Sequence, residues 1–167
     1  MSMFPTPVTG GDDPNRRWRD TTPDGVRPQS LVAGYVLALA GAVLMVVSSL
    51  VMFSVGFVGG DAPLEVIDSF ERNQRIVAVG NLVLAAVVVW SASATTRGRK
   101  AARRVLGAAI FSGVFLNLLG FIVTVSGLAA IVIVALLAFA AVAVTRPSAN
   151  KYIRYCEDQR LRRSMTN

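Results

Sequence analysis

The sequence predicts an all-α integral membrane protein, a bundle of four transmembrane helices with a short outer amphipathic helix and a basic C-terminal cytoplasmic helix. Three long runs without a charged residue predict the spans: Leu31 to Gly60, Ile76 to Thr96 and Val105 to Thr145. The third run is about twice the ~20 residues that one crossing needs. Because arginines bracket that run on both sides, it predicts a hairpin of two spans with both ends on one side of the membrane.

The charges outside these runs predict the orientation of the chain. Residues 97–104 carry five cations and no anion, and the tail from Arg146 carries six cations and two anions, whereas residues 56–75 carry four anions and two cations. By the positive-inside rule, both termini lie in the cytoplasm and residues 56–75 lie outside the plasma membrane. We expect the basic residues beside the spans to set this orientation and to contact anionic lipid headgroups rather than nucleic acid. They are Arg97, Arg99, Lys100, Arg103, Arg104 and Arg146.

Residues 1–30 form a polar, proline-rich arm in front of the membrane domain, residues 31–145. Five prolines disfavour a helix and little apolar surface is present to bury, so we expect disorder in isolation. Phe4 and Trp18 are the natural anchors of this arm on a partner. Ser30 suits the N-cap of the first span.

Turn residues and charges divide the membrane domain into elements. We expect spans at residues 31–55, 76–94, 105–123 and 128–144, an outer loop at 56–75 and an inner basic loop at 95–104. In the outer loop, Leu64, Ile67 and Phe70 recur at helical spacing and predict a short amphipathic helix, which either packs against the bundle or docks a partner. The fourth span is apolar all round, which is typical of a lipid-facing helix or of a flat contact with a larger membrane protein.

The basic tail, residues 146–167, includes Pro147, which cannot continue span four. Opposite charges at helical spacing predict a helix from Ala149 to Met165. This helix either rests on the inner leaflet or docks a partner. Tyr152 and Tyr155, on its partly apolar face, are the candidate anchors.

The chain lacks the residues that most membrane chemistry requires. It has no histidine and one cysteine, and no acidic or basic residue lies within a predicted span. Proton-coupled transport, thiol redox chemistry and metal ligation normally need such groups. The sequence therefore favours a protein without catalytic activity, cofactor or metal. The four carboxylates of residues 56–75 are expected on a solvated helix face.

Four neutral polar side chains lie within the predicted spans at a similar depth. Asn81 and Asn117 lie six and seven residues from the outer boundary, which is a depth of about 9–10 Å for an α-helix. Ser48 and Ser49 fall near this depth in span one. We predict one hydrogen-bonded layer across spans one to three. It serves either to hold the helices together or as a small polar site for a lipid headgroup or an ion.

Small residues at four-residue spacing predict close helix packing. Gly34, Ala38 and Ala42 line one stripe of span one, and Ala109 and Gly113 form a similar pair on span three. Such stripes let helix backbones approach closely. They pack either against other spans of this chain or against a partner.

In outline, the chain resembles small four-span accessory subunits of actinobacterial membrane complexes, such as the LucB-type subunit of the mycobacterial mammalian-cell-entry lipid importer. The resemblance rests on size, on four spans with both termini inside, on the abundance of Arg, Ala and Val, and on the arm that ends at Pro28-Gln29-Ser30. It covers the whole chain in outline and includes no signature motif. It implies a role in assembling or regulating a lipid transporter.

We therefore expect a non-catalytic accessory or scaffold subunit that docks on a larger membrane protein through its spans and both termini. Two alternatives remain open at this level. One is a small autonomous carrier or channel that uses the Asn81–Asn117 layer. The other is a membrane enzyme whose site lies among the outer carboxylates.

Overall fold

The computed structural model describes residues 26–57 and 63–165, which fold into five α-helices with no strand among them. The helices are α1 (Gln29–Ser54), α2 (Leu64–Thr96), α3 (Lys100–Ile122), α4 (Leu128–Thr145) and α5 (Pro147–Met165). The first four are long and apolar enough to cross a membrane. The predicted all-α fold with four membrane-spanning helices is confirmed, and the chain is a multi-pass membrane protein.

The four spans are arranged as a ring in chain order. Helices α1 and α3 each pack against α2 and α4, so α1 and α3 occupy opposite corners. Because the α2–α3 and α3–α4 connections are short, successive helices run antiparallel. We call the end that carries residues 97–99 and α5 the basic end. The other end, which carries residues 55–57 and the α3–α4 turn, is the opposite end.

Large and small side chains fit together at the centre of the bundle. Leu137 of α4 is fully buried and lies between two glycines of its neighbours. A Cβ on Gly41 of α1 would lie 3.0 Å from Leu137 Cδ2, and a Cβ on Gly113 of α3 would lie 3.2 Å from Leu137 Cδ1. Both helices therefore approach α4 closely because these positions carry no side chain. Other fully buried side chains of this core are Met45, Val88 and Ile133.

Helix α2 begins earlier than the sequence predicts for span two. The expected outer helix is helical, but it continues into the span without a break, so one helix runs from Leu64 to Thr96. No proline or glycine interrupts the chain between Leu64 and Val79. An i,i+4 ion pair between Arg75 and Glu71, 3.3 Å from Nη2 to Oε2, supports the helix in the last turn before the expected start of span two. The outer loop expected at 56–75 is correspondingly shorter.

The α2–α3 connection is also shorter than the basic loop expected at 95–104. It spans residues 97–99, and Lys100, Arg103 and Arg104 belong to α3. Gly98 has a φ of 73°. The Gly98 N–H donates to Thr95 O and the Arg99 N–H donates to Ala94 O, at 2.9 and 3.3 Å. These bonds form the Schellman motif that ends a helix at a left-handed glycine, which allows a tight turn.

Helix α5 lies across the basic end of the bundle. Its residues Ala149 and Ile153 are buried, with 0% and 2% of their surface exposed. The Ser148 and Ser30 hydroxyl oxygens are 2.9 Å apart, which joins α5 to the start of α1. The tail helix expected from Ala149 to Met165 is therefore present, begins two residues earlier, and packs on the bundle.

Candidate functional site

The polar centre of the bundle is a pair of asparagine side chains on α2 and α3. Asn117 Nδ2 donates to Asn81 Oδ1 at 2.8 Å, and Asn81 Nδ2 donates to Asn117 Oδ1 at 3.4 Å. Asn117 Nδ2 also donates to Gly113 O at 2.9 Å. Both side chains are fully buried. Each amide therefore provides a hydrogen-bond partner for the other, as buried polar groups require.

The two serines of the predicted layer are not joined to this pair. Ser49 is fully buried, but its hydroxyl donates to Met45 O at 2.7 Å within α1. Ser48 is half-buried and lies on the wall of a cavity at the opposite end. The hydrogen-bonded pair therefore connects α2 to α3, and the expected extension to span one is not made. A serine in a helix readily bonds the carbonyl four residues earlier, which explains the difference.

The small-residue stripes face other spans of this chain. A Cβ on Gly34 would lie 2.7 Å from Val144 Cγ2 of α4. Ala38 and Ala42 are buried in the same interface region, with 0% and 1% of their surface exposed. On α3, Ala109 and Gly113 are also buried. Both stripes therefore hold the bundle together.

The flanking cations gather at the basic end, where some of them hold α5. Lys100 Nζ lies 3.3 Å from Glu157 Oε2, and the Arg103 guanidinium donates to the Asn150 side-chain oxygen. Gly98 packs closely against Cys156. A Cβ added to Gly98 would lie only 2.5 Å from Cys156 Cβ. Helix α5 is thus held by α1, α3 and the α2–α3 connection. The other flanking cations, Arg97, Arg99, Arg104 and Arg146, are exposed at the same end.

A polar groove is formed by side chains along one face of α5, and we call it the α5 groove. Its volume is about 480 Å³, and its lining residues are Pro147, Asn150, Lys151, Arg154, Tyr155 and Asp158. They recur at helical spacing, so they share one face. Of the two predicted aromatic anchors, Tyr155 lines this groove and its hydroxyl accepts a hydrogen bond from Gln159 Nε2 at 2.8 Å. Tyr152 is half-buried. Phe4 and Trp18, the predicted anchors of the arm, lie outside the described residues.

A second cavity, of about 650 Å³, lies at the opposite end between α1, the start of α2 and the α3–α4 turn. Gln74 lines it and donates from Nε2 to Val55 O at 3.0 Å, which ties α2 to the end of α1. Phe57 and Phe70 also line it and form an edge-to-face pair with ring centroids 5.3 Å apart. Sequence reasoning missed Gln74. Its spacing of seven residues from Asn81 places both on one face of α2 and was a usable signal.

The α3–α4 turn contains a strained residue and a buried hydroxyl. Thr124 has a φ of 58°, in the left-handed region that a β-branched residue rarely adopts. The Thr124 N–H donates to Phe121 O and the Val125 N–H to Gly120 O, each at 3.0 Å, which forms a second Schellman motif. Next to it, Ser126 Oγ is buried without a hydrogen-bond partner. A Cβ on Gly120 would lie 2.5 Å from that oxygen.

These features describe a bundle whose polar groups chiefly hold helices together, with a charged helix fixed at one end. Within residues 26–57 and 63–165, no three His, Cys, Asp or Glu side chains are grouped as a metal site would require. No protein-family model matches the chain, and neither a curated protein nor a solved structure matches it significantly.

Proposed function

We propose that this protein is a non-catalytic accessory or scaffold subunit of a larger membrane complex, and that it docks its partner through the α5 groove. The observation that carries the proposal is the fixed position of α5. Contacts from Ser30, Arg103 and Lys100 hold this helix on the bundle. A helix that is already held in place loses little conformational entropy on binding.

The chemistry of the α5 groove suits a protein surface with both signs of charge. The groove combines Lys151 and Arg154 with Asp158, and Tyr155 adds an aromatic face. Tyrosine and arginine are enriched among residues that dominate binding energy at interfaces. Mixed charges fix the register of a partner more than they raise affinity. A subunit that positions another protein needs this kind of orientation-specific contact.

The interior supports this proposal over an autonomous carrier. The Asn81 and Asn117 amides are hydrogen-bonded to each other and fully buried. A passing ion or headgroup would have to break these bonds inside an apolar core, at a cost of about 1–3 kcal/mol for each amide group left unsatisfied. The pair therefore fits a role in helix packing.

The resemblance in general form to LucB-type subunits supports a more specific proposal about the complex. We propose that the partner is an integral membrane protein of a lipid transporter in the plasma membrane, and that both termini of this chain lie in the cytoplasm, as the basic flanks predict. In that arrangement the α5 groove faces the cytoplasmic side of the complex. The subunit assembles or regulates the transporter and carries no substrate chemistry itself.

A pull-down with matched charge variants tests the proposal. The C-terminally tagged protein is extracted from its native membrane in a gentle detergent, and co-purifying proteins are measured by quantitative mass spectrometry. We expect one membrane partner in stoichiometric amount. We expect Arg154→Glu to deplete it about tenfold, which corresponds to about 1.4 kcal/mol, since arginine is enriched among the interface residues whose loss costs most.

The control is Arg99→Glu, which makes the same charge change at an exposed position of the basic end outside the α5 groove. It is expected to retain the partner. Equal loss in both variants would point to general charge attraction and reject the groove. Recovery of the wild-type chain alone would reject the accessory role.

A further inference from the structure

A shallow groove on the membrane-facing side of the bundle lies between α1 and α4 near the basic end, and we call it the α1–α4 groove. Its volume is about 290 Å³. Ala33 and Leu37 of α1 and Phe139 and Ala143 of α4 form its apolar walls, and Ser30 and Arg146 lie at its mouth. The depression exists because the side chains of Ala33 and Ala143 are small, and the larger side chains of Leu37 and Phe139 form its border.

The mouth of this groove carries a positive charge. Arg146 is exposed and is the first residue after α4. Within residues 26–57 and 63–165, no acidic side chain forms an ion pair with it. The Ser30 hydroxyl at the mouth is hydrogen-bonded to the Ser148 hydroxyl, so two hydroxyl groups lie at this end of the groove. Three residues before Ser30, Arg27 is also exposed.

The groove therefore has the two parts of an amphiphile site, an apolar channel and a cationic mouth. The mouth lies where the hydrophobic helix ends, which is the level of the headgroups in a bilayer. The basic flanks predict that this level belongs to the inner leaflet, whose surface carries anionic lipids. A volume of about 290 Å³ lies just below the range for small-molecule sites, so the groove suits part of one acyl chain.

We propose that the α1–α4 groove binds one anionic phospholipid of the inner leaflet. An acyl chain lies along Ala33 and Leu37, and the headgroup phosphate accepts hydrogen bonds from the Arg146 guanidinium. The planar guanidinium matches phosphate oxygens in a bidentate manner. Because one hydroxyl of the Ser30–Ser148 pair donates to the other, the second hydroxyl supplies one further donor. This site does not depend on the α5 groove or on a protein partner.

Native mass spectrometry of the purified full chain in mixed micelles of phosphatidylglycerol and phosphatidylcholine tests the site. The wild type is expected to retain one phosphatidylglycerol in preference to phosphatidylcholine. Arg146→Gln is expected to lower that preference about fivefold, which corresponds to the ~1 kcal/mol that one arginine contributes near an anionic surface. Arg72→Gln removes the same charge from an exposed position of α2 near the opposite end and is expected to leave the preference unchanged. Equal loss in both variants would overturn the site.

A second pair of variants tests the acyl-chain half of the groove. Ala33→Phe fills the channel, whereas Ala40→Phe adds the same bulk at an exposed position of α1 outside it. We expect the first to abolish retention of phosphatidylglycerol and the second to preserve it. Elution of each variant as a single folded species shows that neither change unfolds the bundle. Retention at the wild-type level in Ala33→Phe would overturn the proposed binding mode.

Discussion

Asn117 donates a hydrogen bond from Nδ2 to Asn81 Oδ1 across 2.8 Å, which joins α3 to α2. Both residues are fully buried, so neither amide has water as an alternative partner. Removing one amide leaves the other with a lost bond in an apolar environment, whereas removing both leaves no unsatisfied group. This asymmetry distinguishes a structural pair from a transport site.

Asn81→Leu is expected to destabilise the bundle by about 1–2 kcal/mol because it leaves the Asn117 side chain incompletely bonded. The double variant Asn81→Leu, Asn117→Leu is expected to recover at least half of that loss. Thermal unfolding in detergent, followed by circular dichroism, measures both. A double variant that is less stable than the single would show that the pair contributes net stability to the fold.

If wild-type protein in liposomes conducts ions or lipids and the double variant does not, the carrier alternative gains support.

Gly98→Ala is expected to loosen α5. The Schellman motif requires a φ of 73° at this position, which costs a non-glycine residue about 1 kcal/mol or more, and the added Cβ would lie 2.5 Å from Cys156 Cβ. Cys156 is half-buried beside it, so its reaction rate with a maleimide reports the displacement. We expect a several-fold faster reaction.

Gly107→Ala is the matched control for Gly98→Ala. Gly107 is exposed on α3, and a Cβ there would meet nothing within 4 Å. Alanine also favours a helix over glycine. In the Gly107→Ala variant, Cys156 should therefore react with the maleimide at the wild-type rate. A Gly98→Ala rate equal to the wild-type rate would contradict the close packing of α5.

Thr124→Gly is expected to stabilise the protein by about 1 kcal/mol. Thr124 occupies a left-handed conformation with φ 58° at the end of α3, where glycine is strongly favoured and a β-branched residue is strained. Unfolding temperature is again the measurement. Thr96→Gly, placed within the last turn of α2, should be destabilising instead, because glycine is a poor helix former.

Leu137→Ala is expected to destabilise the bundle by about 2 kcal/mol. Its side chain fills the space between Gly41 and Gly113, and its removal leaves a cavity. The loss falls at the low end of the range for soluble cores, since lipid is as apolar as leucine and the transfer component largely vanishes. Leu50→Ala, on the exposed face of α1, should change the unfolding free energy by less than about 0.5 kcal/mol.

The uncharged runs were sufficient to predict the four spans, because crossing a bilayer imposes length and apolarity on each segment. The boundaries of these runs also placed Asn81 and Asn117 at a similar depth in the membrane, and the two side chains are hydrogen-bonded to each other in the structure. The same argument failed for Ser49, whose hydroxyl bonds its own helix. Depth alone does not give the direction of a side chain around the helix axis.

Local signals were present for other features but not decisive. The outer helix had the right pattern, yet its continuity with span two depended on the absence of a helix breaker before Gly80. Gly98 was one of 14 glycines, and its role depends on contact with Cys156, which lies 58 residues later in the chain. The α1–α4 groove depends on which faces of two helices meet, and that relationship is tertiary.

The length of α2 has a consequence for its place in the membrane. Its 33 residues extend about 50 Å at ~1.5 Å per residue, whereas the hydrocarbon layer of a bilayer is about 30 Å thick. About 20 Å of an untilted helix therefore lies outside that layer. This excess length lets the charged first turns, with Glu65, Asp68 and Glu71, remain hydrated while the same continuous helix crosses the bilayer.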